Sequence, residues 1–330
     1  MLGDALRERA KMKIVFYSNQ LGLRGTDTSL FQYAKFNEEI LGNESFVCSP
    51  CYADLTSKPK FDKRFGENVK LIDSFGSIGP YLNRIKADWL YIIKQGNNDG
   101  YCTKEIPCFV HAVFRHNDPH GDVYAYVSDW LAKDQGYDPA THSLPHICEP
   151  LPFTNENLRG ELNIPKGAKV FGCYGGETEF NIVSTHNVIK NVVNQRNDIY
   201  FIFMNINKFC EEHNQIKHLP GSYDMLYKSK FVNTCDAMIH SRSGGETFGL
   251  AVQEFASSNK PVITYELSGE KNHIEMLGDR GIYYKGYEDL FDIVNNIDSY
   301  IKHDDYYKCY ESCSPENIMN KFNKFIKGKI

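Results

Sequence analysis

Short apolar runs alternate with longer amphipathic stretches along most of this chain. Runs of four to six buried-type residues, parted by stretches with apolar positions at helical spacing, predict repeated strand–helix units. In the first half the strands are expected at Lys13–Tyr17, Phe46–Ser49, Val69–Ile72, Trp89–Ile93, Cys108–His111, Val123–Val127 and Leu144–Cys148, with a helix over Ser29–Ile40. In the second half the expected strands are Ala168–Cys173, Ile199–Met204, Ala237–His240, Pro261–Tyr265 and Ile282–Tyr284. Helices are expected at Ser184–Asn194, Tyr223–Val232, Phe248–Ser257, Tyr287–Ile301 and Tyr306–Phe325. Strands this apolar belong in parallel sheets covered on both faces, so the fold class is α/β.

Between the halves lies Glu149-Pro150-Leu151-Pro152-Phe153-Thr154, where two prolines oppose both helix and central strand. This divides the chain into two α/β domains of ordinary size, 12–152 and 153–302, with a hinge about residues 149–158. Residues 303–330 form a C-terminal helix, and residues 1–11, charged and followed by a second methionine, read as a tag or a disordered arm.

Composition removes several function classes. The 330 residues are 42% hydrophobic and 24% charged, enough for a large core and a wet surface. Thirty-seven basic and 42 acidic residues give a formal charge of −5 with no basic run, which argues against nucleic acid as partner. The ten cysteines lack zinc-ribbon or stapled-scaffold spacing and read as reduced thiols. With no apolar run long enough for a membrane span, the expectation is a cytoplasmic protein.

The richest segment runs from Asp236 to Phe255. A strand ends near His240, the turn Ser241-Arg242-Ser243-Gly244-Gly245-Glu246-Thr247 follows, and a helix opens near Phe248. Unpaired N–H groups at such a helix start, on the carboxyl edge of a parallel sheet, can hold a diphosphate. Glu246 and Glu254 can line one cleft while touching different ends of a ligand, and carboxylates suit sugar or ribose hydroxyls. In the first half, Gly22 and Gly25 flank Arg24 after the first strand, a loop that lets backbone approach a ligand closely; Asp27 and Ser128 are placed to cap helices.

The segment Glu246 to Glu254, continued by Asn259-Lys260-Pro261-Val262-Ile263, resembles the Glu, seven residues, Glu signature of glycosyltransferase family 4 and its retaining relatives of the GT-B fold. More loosely, the chain resembles glycosyltransferases encoded by large algal viruses, which would put it in host cytoplasm. The resemblance implies two Rossmann-like domains facing across a cleft, with the C-terminal helix crossing back to the first. It implies transfer of a hexose or deoxyhexose from a UDP- or GDP-sugar to a glycan or other hydroxyl, with retention, without metal or cofactor.

Carried onto this chain, the resemblance gives Glu246 the donor sugar's hydroxyls, Glu254 the ribose, and the backbone of Phe248, Gly249 and Leu250 the diphosphate. Ser243, Gly245 and Thr247 complete that turn, Gly22, Arg24 and Gly25 face it, Gly221 borders the base, and His111 stands near the transferred sugar as a proton-sharing catalytic group. The family's arginine and lysine after the second domain's first strand have no counterpart in Phe171 to Phe180. Arg242 therefore substitutes as the catalytic cation, or Lys190 reaches back; Lys228 or Lys230 is a further phosphate contact. The alternatives are a nucleotide-sugar epimerase or phosphorylase of similar fold, a non-catalytic carbohydrate- or nucleotide-sugar-binding protein, and a metallohydrolase built on His116, Asp118, His120 and Asp122. No Gly-x-Gly-x-x-Gly turn supports a dinucleotide oxidoreductase.

Overall fold

The computed structural model describes residues 11–328, so all but the last residue of the arm expected at 1–11 lies outside the described residues. Two six-stranded, wholly parallel sheets organise the chain. The first contains β1 (Lys13–Tyr17), β2 (Glu44–Pro50), β3 (Val69–Ile72), β4 (Trp89–Lys94), β5 (Cys108–Ala112) and β6 (Val123–Tyr126), in the spatial order β3-β2-β1-β4-β5-β6. The second contains β7 (Lys169–Tyr174), β8 (Ile199–Met204), β9 (Ile216–Leu219), β10 (Ala237–His240), β12 (Val262–Tyr265) and β14 (Ile282–Tyr284), in the order β14-β12-β10-β7-β8-β9. The two-residue strands β11 (Gly245–Glu246) and β13 (Glu270–Lys271) pair separately.

Both orders are one topology, in which the first strand sits beside the fourth and the winding reverses between them. Ligands of doubly wound sheets enter the crevice outside the carboxyl ends at that reversal. Here the reversals fall between β1 and β4 and between β7 and β10. The loops that leave β1, β7 and β10 are therefore the ones the topology selects for binding.

Among the described residues twelve helices cover the sheets: α1 (Gly25–Glu39), α2 (Lys58–Phe65), α3 (Ile78–Ile85), α4 (Asp129–Asp134), α5 (Pro139–His142), α6 (Val183–Gln195), α7 (Met225–Thr234), α8 (Leu250–Ser257), α9 (Asn272–Leu277), α10 (Tyr287–Asn295), α11 (Ile297–Tyr300) and α12 (Pro315–Ile326). Strands buried on both faces explain the continuous apolar runs: Ile14, Val15 and Phe16 of β1 and Phe201, Ile202 and Phe203 of β8 are wholly buried. Helix α12 lays Phe322 against Phe16, Tyr33, Tyr91 and Phe109 of the first half. The backbone joins there too, Cys148 N–H donating to the Cys313 carbonyl at 2.8 Å.

Several expected elements differ. Leu144–Cys148 is not a strand; Tyr126 bridges to Ser143 and the chain then leaves the sheet. Tyr306–Phe325 is two pieces, a 3₁₀ stretch Tyr306–Cys313 and α12, because Pro315 at the first helical position cannot extend the preceding turn while Ser314 caps the new one. Tyr287–Ile301 likewise divides into α10 and α11 at Asn296. Among the described residues no helix is long and apolar enough to cross a membrane, and all ten cysteines are free.

Candidate functional site

The β10–α8 connection builds one wall. Gly245 has φ +76°, and an added Cβ there would lie 1.9 Å from the Glu270 carbonyl oxygen, so only glycine lets β11 pair with β13. Gly249, φ +95°, is the residue before α8 and turns the chain into the helix. The first-turn N–H groups of α8 have no partner within the helix and carry the positive end of its dipole.

Glu246 projects from this turn and is clamped at both oxygens. Oε1 accepts from His240 Nε2 at 3.1 Å and Oε2 accepts from Arg242 Nη1 at 2.9 Å. Burial alone would raise its pKa, but the His240 hydrogen bond and the Arg242 charge outweigh it and hold the carboxyl down to about 2. It is a carboxylate at any physiological pH. Behind it, His240 Nδ1 meets Thr264 Oγ1 at 2.8 Å and His273 Nε2 meets the same oxygen at 3.1 Å. His273 is buried and its pKa is pushed down to about 3, chiefly by desolvation, so its ring is neutral. This chain of hydrogen bonds fixes the ring that fixes the carboxylate.

Arg242 is placed differently from the free phosphate cation that the sequence suggests. Its Nε pairs with Glu179 at 2.5 Å and its Nη1 with Glu246, and Glu270 adds a further negative charge nearby. The guanidinium is engaged by carboxylates on two sides and serves first to hold Glu246. Lys190 lines a surface groove with Lys208, Phe209 and Cys210. Ser243 N–H donates to Asn181 Oδ1 at 2.9 Å, tying the turn to the loop after β7.

Glu254, one turn into α8, is 3% exposed. It accepts from Tyr174 Oη at 2.6 Å and faces Lys228 Nζ at 3.3 Å from each oxygen. Lys230 is a correction: it turns outward to pair with Glu156, because residues two apart on a helix point to nearly opposite sides. Lys228 shares the inward side with Phe231 and Val232, three and four positions on, a spacing legible in the sequence.

His111 is the second correction. It is 0% exposed inside the first sheet, among Tyr33, Tyr91, Phe109 and His146. Nε2 donates to the Leu144 carbonyl at 2.7 Å, so Nδ1 is the acceptor for the Tyr91 hydroxyl. Desolvation pushes its pKa down to about 3. With both nitrogens spent inside the core, it cannot share a proton with a sugar.

The opposite wall comes from the first half. Asp27 organises the loop after β1, accepting from Gln20 Nε2 at 2.9 Å, Gly22 N at 3.0 Å and Arg24 N at 3.3 Å. Burial raises its pKa to about 6 against those bonds. This loop reaches the other domain: Cβ atoms added at Gly221 and Gly25 would lie 2.6 Å from Leu23 Cδ1 and 3.3 Å from Leu250 Cδ1. Ser128 Oγ donates to the Thr247 carbonyl at 2.6 Å, Arg115 Nη2 to the Gly269 carbonyl at 3.0 Å, and His146 packs edge-on to Phe248 at 5.1 Å. The crevice lies between Gly22, Leu23, Lys60 and Phe61 on one side and Ser222, Tyr223 and Lys228 on the other.

The residues weighed for a metal do not converge. Asp118 accepts from Asn98 N and Asp122 from Cys108 N, so both shape the loop backbone. Among the described residues no three His, Cys, Asp or Glu side chains sit as a metal-holding group.

No protein-family model matches the chain, and no curated protein matches it by sequence. Solved structures do match in fold. A glycosyltransferase from Rickettsia africae aligns with TM-score 0.66 at 14% identity, covering 97% of both chains. HepE of Anabaena, solved in complex with UDP-glucose, aligns with TM-score 0.71 at 14% identity over 96% of this chain and all of that one. A putative UDP-N-acetylglucosamine 2-epimerase from Listeria monocytogenes aligns with TM-score 0.61 at 13% identity, covering 97% of this chain and 96% of that one. The chain has the fold of these proteins, two Rossmann-like domains facing across a cleft. That is the GT-B architecture.

Proposed function

We propose that this protein is a nucleotide-sugar-dependent glycosyltransferase that moves a hexose or deoxyhexose from a UDP- or GDP-sugar to a glycan or other hydroxyl acceptor with retention of configuration. The carrying observation is a carboxylate fixed at both oxygens beside the residue that opens α8, with the loop after β1 packed against the first residue of that helix. The capture of UDP-glucose by HepE, on the same architecture, supports a uridine donor as the first to test. The Glu246–Glu254 spacing supports the reading within family 4, and the viral resemblance remains part of it.

In this mechanism Glu246, ionised and immobile, aligns the donor sugar by its hydroxyls. Negative charge builds on the departing diphosphate, where the first-turn N–H groups of α8 stabilise it. In this reading Glu246 acts as a positioning group rather than a covalent nucleophile, so attack on the same face, assisted by the leaving phosphate, gives retention. Contacts such as Ser128 to Thr247 close the two halves and exclude water from the transfer.

A second reading has one observation behind it, the putative epimerase of similar fold. A panel of UDP-, GDP- and dTDP-sugars, with and without a hydroxyl acceptor, separates the two when products are followed by proton NMR. The transferase reading predicts nucleoside-diphosphate release with an α- or β-anomeric product matching the donor. Free epimerised sugar without transfer would replace it with the epimerase reading, and saturable donor binding without turnover would leave a binding protein.

A further inference from the structure

The charges of the cleft are divided. Around Arg242 stand Glu179, Glu246 and Glu270, three carboxylates about one guanidinium. At the other end, Lys60 from α2 and Lys228 from α7 line the crevice with Gly22, Leu23, Thr28 and Tyr223. Lys228 has Glu254 as partner. Among the described residues no carboxylate pairs with Lys60, whose ammonium rests 4.1 Å from the centre of the Phe31 ring.

We propose that Lys60 and Lys228 form a two-domain clamp for the phosphate groups of the ligand that enters this crevice. The assignment rests on the nucleotide-sugar reading and deepens it, because it names where the anionic part of the ligand lies. Three observations converge. The loop after β7, Gly175 to Phe180, holds two glutamates and no basic residue, so that switch-point loop supplies no cation. Arg242 is already engaged by carboxylates, and a further anion beside Glu179 and Glu246 would be repelled. Lys60 and Lys228 bring two cations to the crevice where the loop after β1 and the second domain meet, and among the described residues Glu254 on Lys228 is the one ion pair either makes.

A half-buried ammonium beside another cation is an unfavourable arrangement that a bound phosphate relieves. The pKa of Lys60 is pushed down to about 8, first by burial and then by the charge of Lys228. Glu254, Glu149 and Lys35 also face it, and Asp27 lines the same crevice. Because one lysine comes from each half, phosphate binding would favour the closed arrangement of the domains. The phosphate could arrive on the donor as its diphosphate or on a phosphorylated acceptor.

Calorimetry with UDP, GDP, their parent nucleosides and inorganic pyrophosphate, on wild type, Lys60→Gln, Lys228→Gln and Lys60→Arg, tests the clamp. Lys60→Gln is expected to weaken the nucleoside diphosphate and pyrophosphate by about tenfold or more while leaving nucleoside affinity within about twofold. Wild-type affinity for the phosphate ligands should fall as pH rises through about 8, and Lys60→Arg should restore binding and remove that fall. A nucleotide that binds wild type and Lys60→Gln equally would overturn the clamp and leave the nucleotide reading standing. Pyrophosphate that binds and needs Lys60, with no nucleotide bound, would support the clamp and discard the nucleotide donor. Binding of nothing would overturn both.

Discussion

Two histidines stand toward the carboxyl ends of parallel strands, His111 next to last on β5 and His240 last on β10, and they do opposite things. Both are buried, at 0% and 4% exposure, and both use both ring nitrogens. His111 spends its nitrogens on Tyr91 and a carbonyl of the same half, which makes it part of the first core. His240 spends one on Thr264 and the other on Glu246, which makes it the support of a carboxylate in the cleft. A histidine at a sheet's carboxyl edge is therefore functional or structural according to what its outer nitrogen meets, and that partner lies on another segment.

The largest effect that sharpens this contrast is at Glu246. Glu246→Gln should keep the fold and lower donor turnover by about 100-fold or more, since the amide loses the charge that Arg242 and His240 orient. Steady-state rates at equal folded concentration check it; unchanged turnover breaks the account of the site. His111→Gln should act on the other axis. A loss of about 2–3 kcal/mol in chemical denaturation is expected, with turnover per folded molecule nearly intact, because the change orphans buried partners rather than a ligand contact.

Smaller effects follow from the supports. Thr264→Val removes the hydroxyl shared by His240 and His273, and turnover should fall about three- to tenfold with nucleotide affinity little changed. If kcat and affinity fall together, the hydroxyl acts on the fold and not through Glu246. Acid sensitivity comes from His111, His146 and His273, all held below the ordinary imidazole range by burial. Their folded pKa values lie below the unfolded value of about 6.5, so the unfolded chain binds more protons in this window. Stability should fall as pH drops from about 6.5 toward 3, by about 2 kcal/mol each for His111 and His273 at pH 5, with His146 acting in the same direction. Denaturation midpoints measured from pH 7 to 5 check the slope, and a flat profile would mean that these rings are not buried neutral.

The same contrast separates what the sequence discloses from what it hides. Strand runs such as Ile199–Met204, Ala237–His240 and Ile282–Tyr284 match the structure to the residue, because buried parallel strands are written as uninterrupted apolar stretches. Helix α2, with Lys58, Pro59, Lys60, Asp62, Lys63 and Arg64, carries only Phe61 and Phe65 as buried anchors and escapes a periodicity reading. The edge strand β9 escapes for a similar reason, since only Ile216 of its four residues is buried. In the site, the β10–α8 turn is legible because its glycines, carboxylates and helix start are contiguous. The partners are not: Glu179 on Arg242, Lys228 on Glu254 and Leu144 on His111 come from elsewhere in the chain. Contiguous chemistry is visible in one dimension, and neutralising partners are not.

The most direct test of the central claim is donor-dependent nucleoside-diphosphate release by wild type, Glu246→Gln and His111→Gln, each assayed at matched folded concentration with the donor that wild type prefers. The account predicts release that collapses in Glu246→Gln and persists in His111→Gln. Equal rates in wild type and Glu246→Gln, or a collapse in well-folded His111→Gln, would place the chemistry on the wrong wall of the cleft and contradict it.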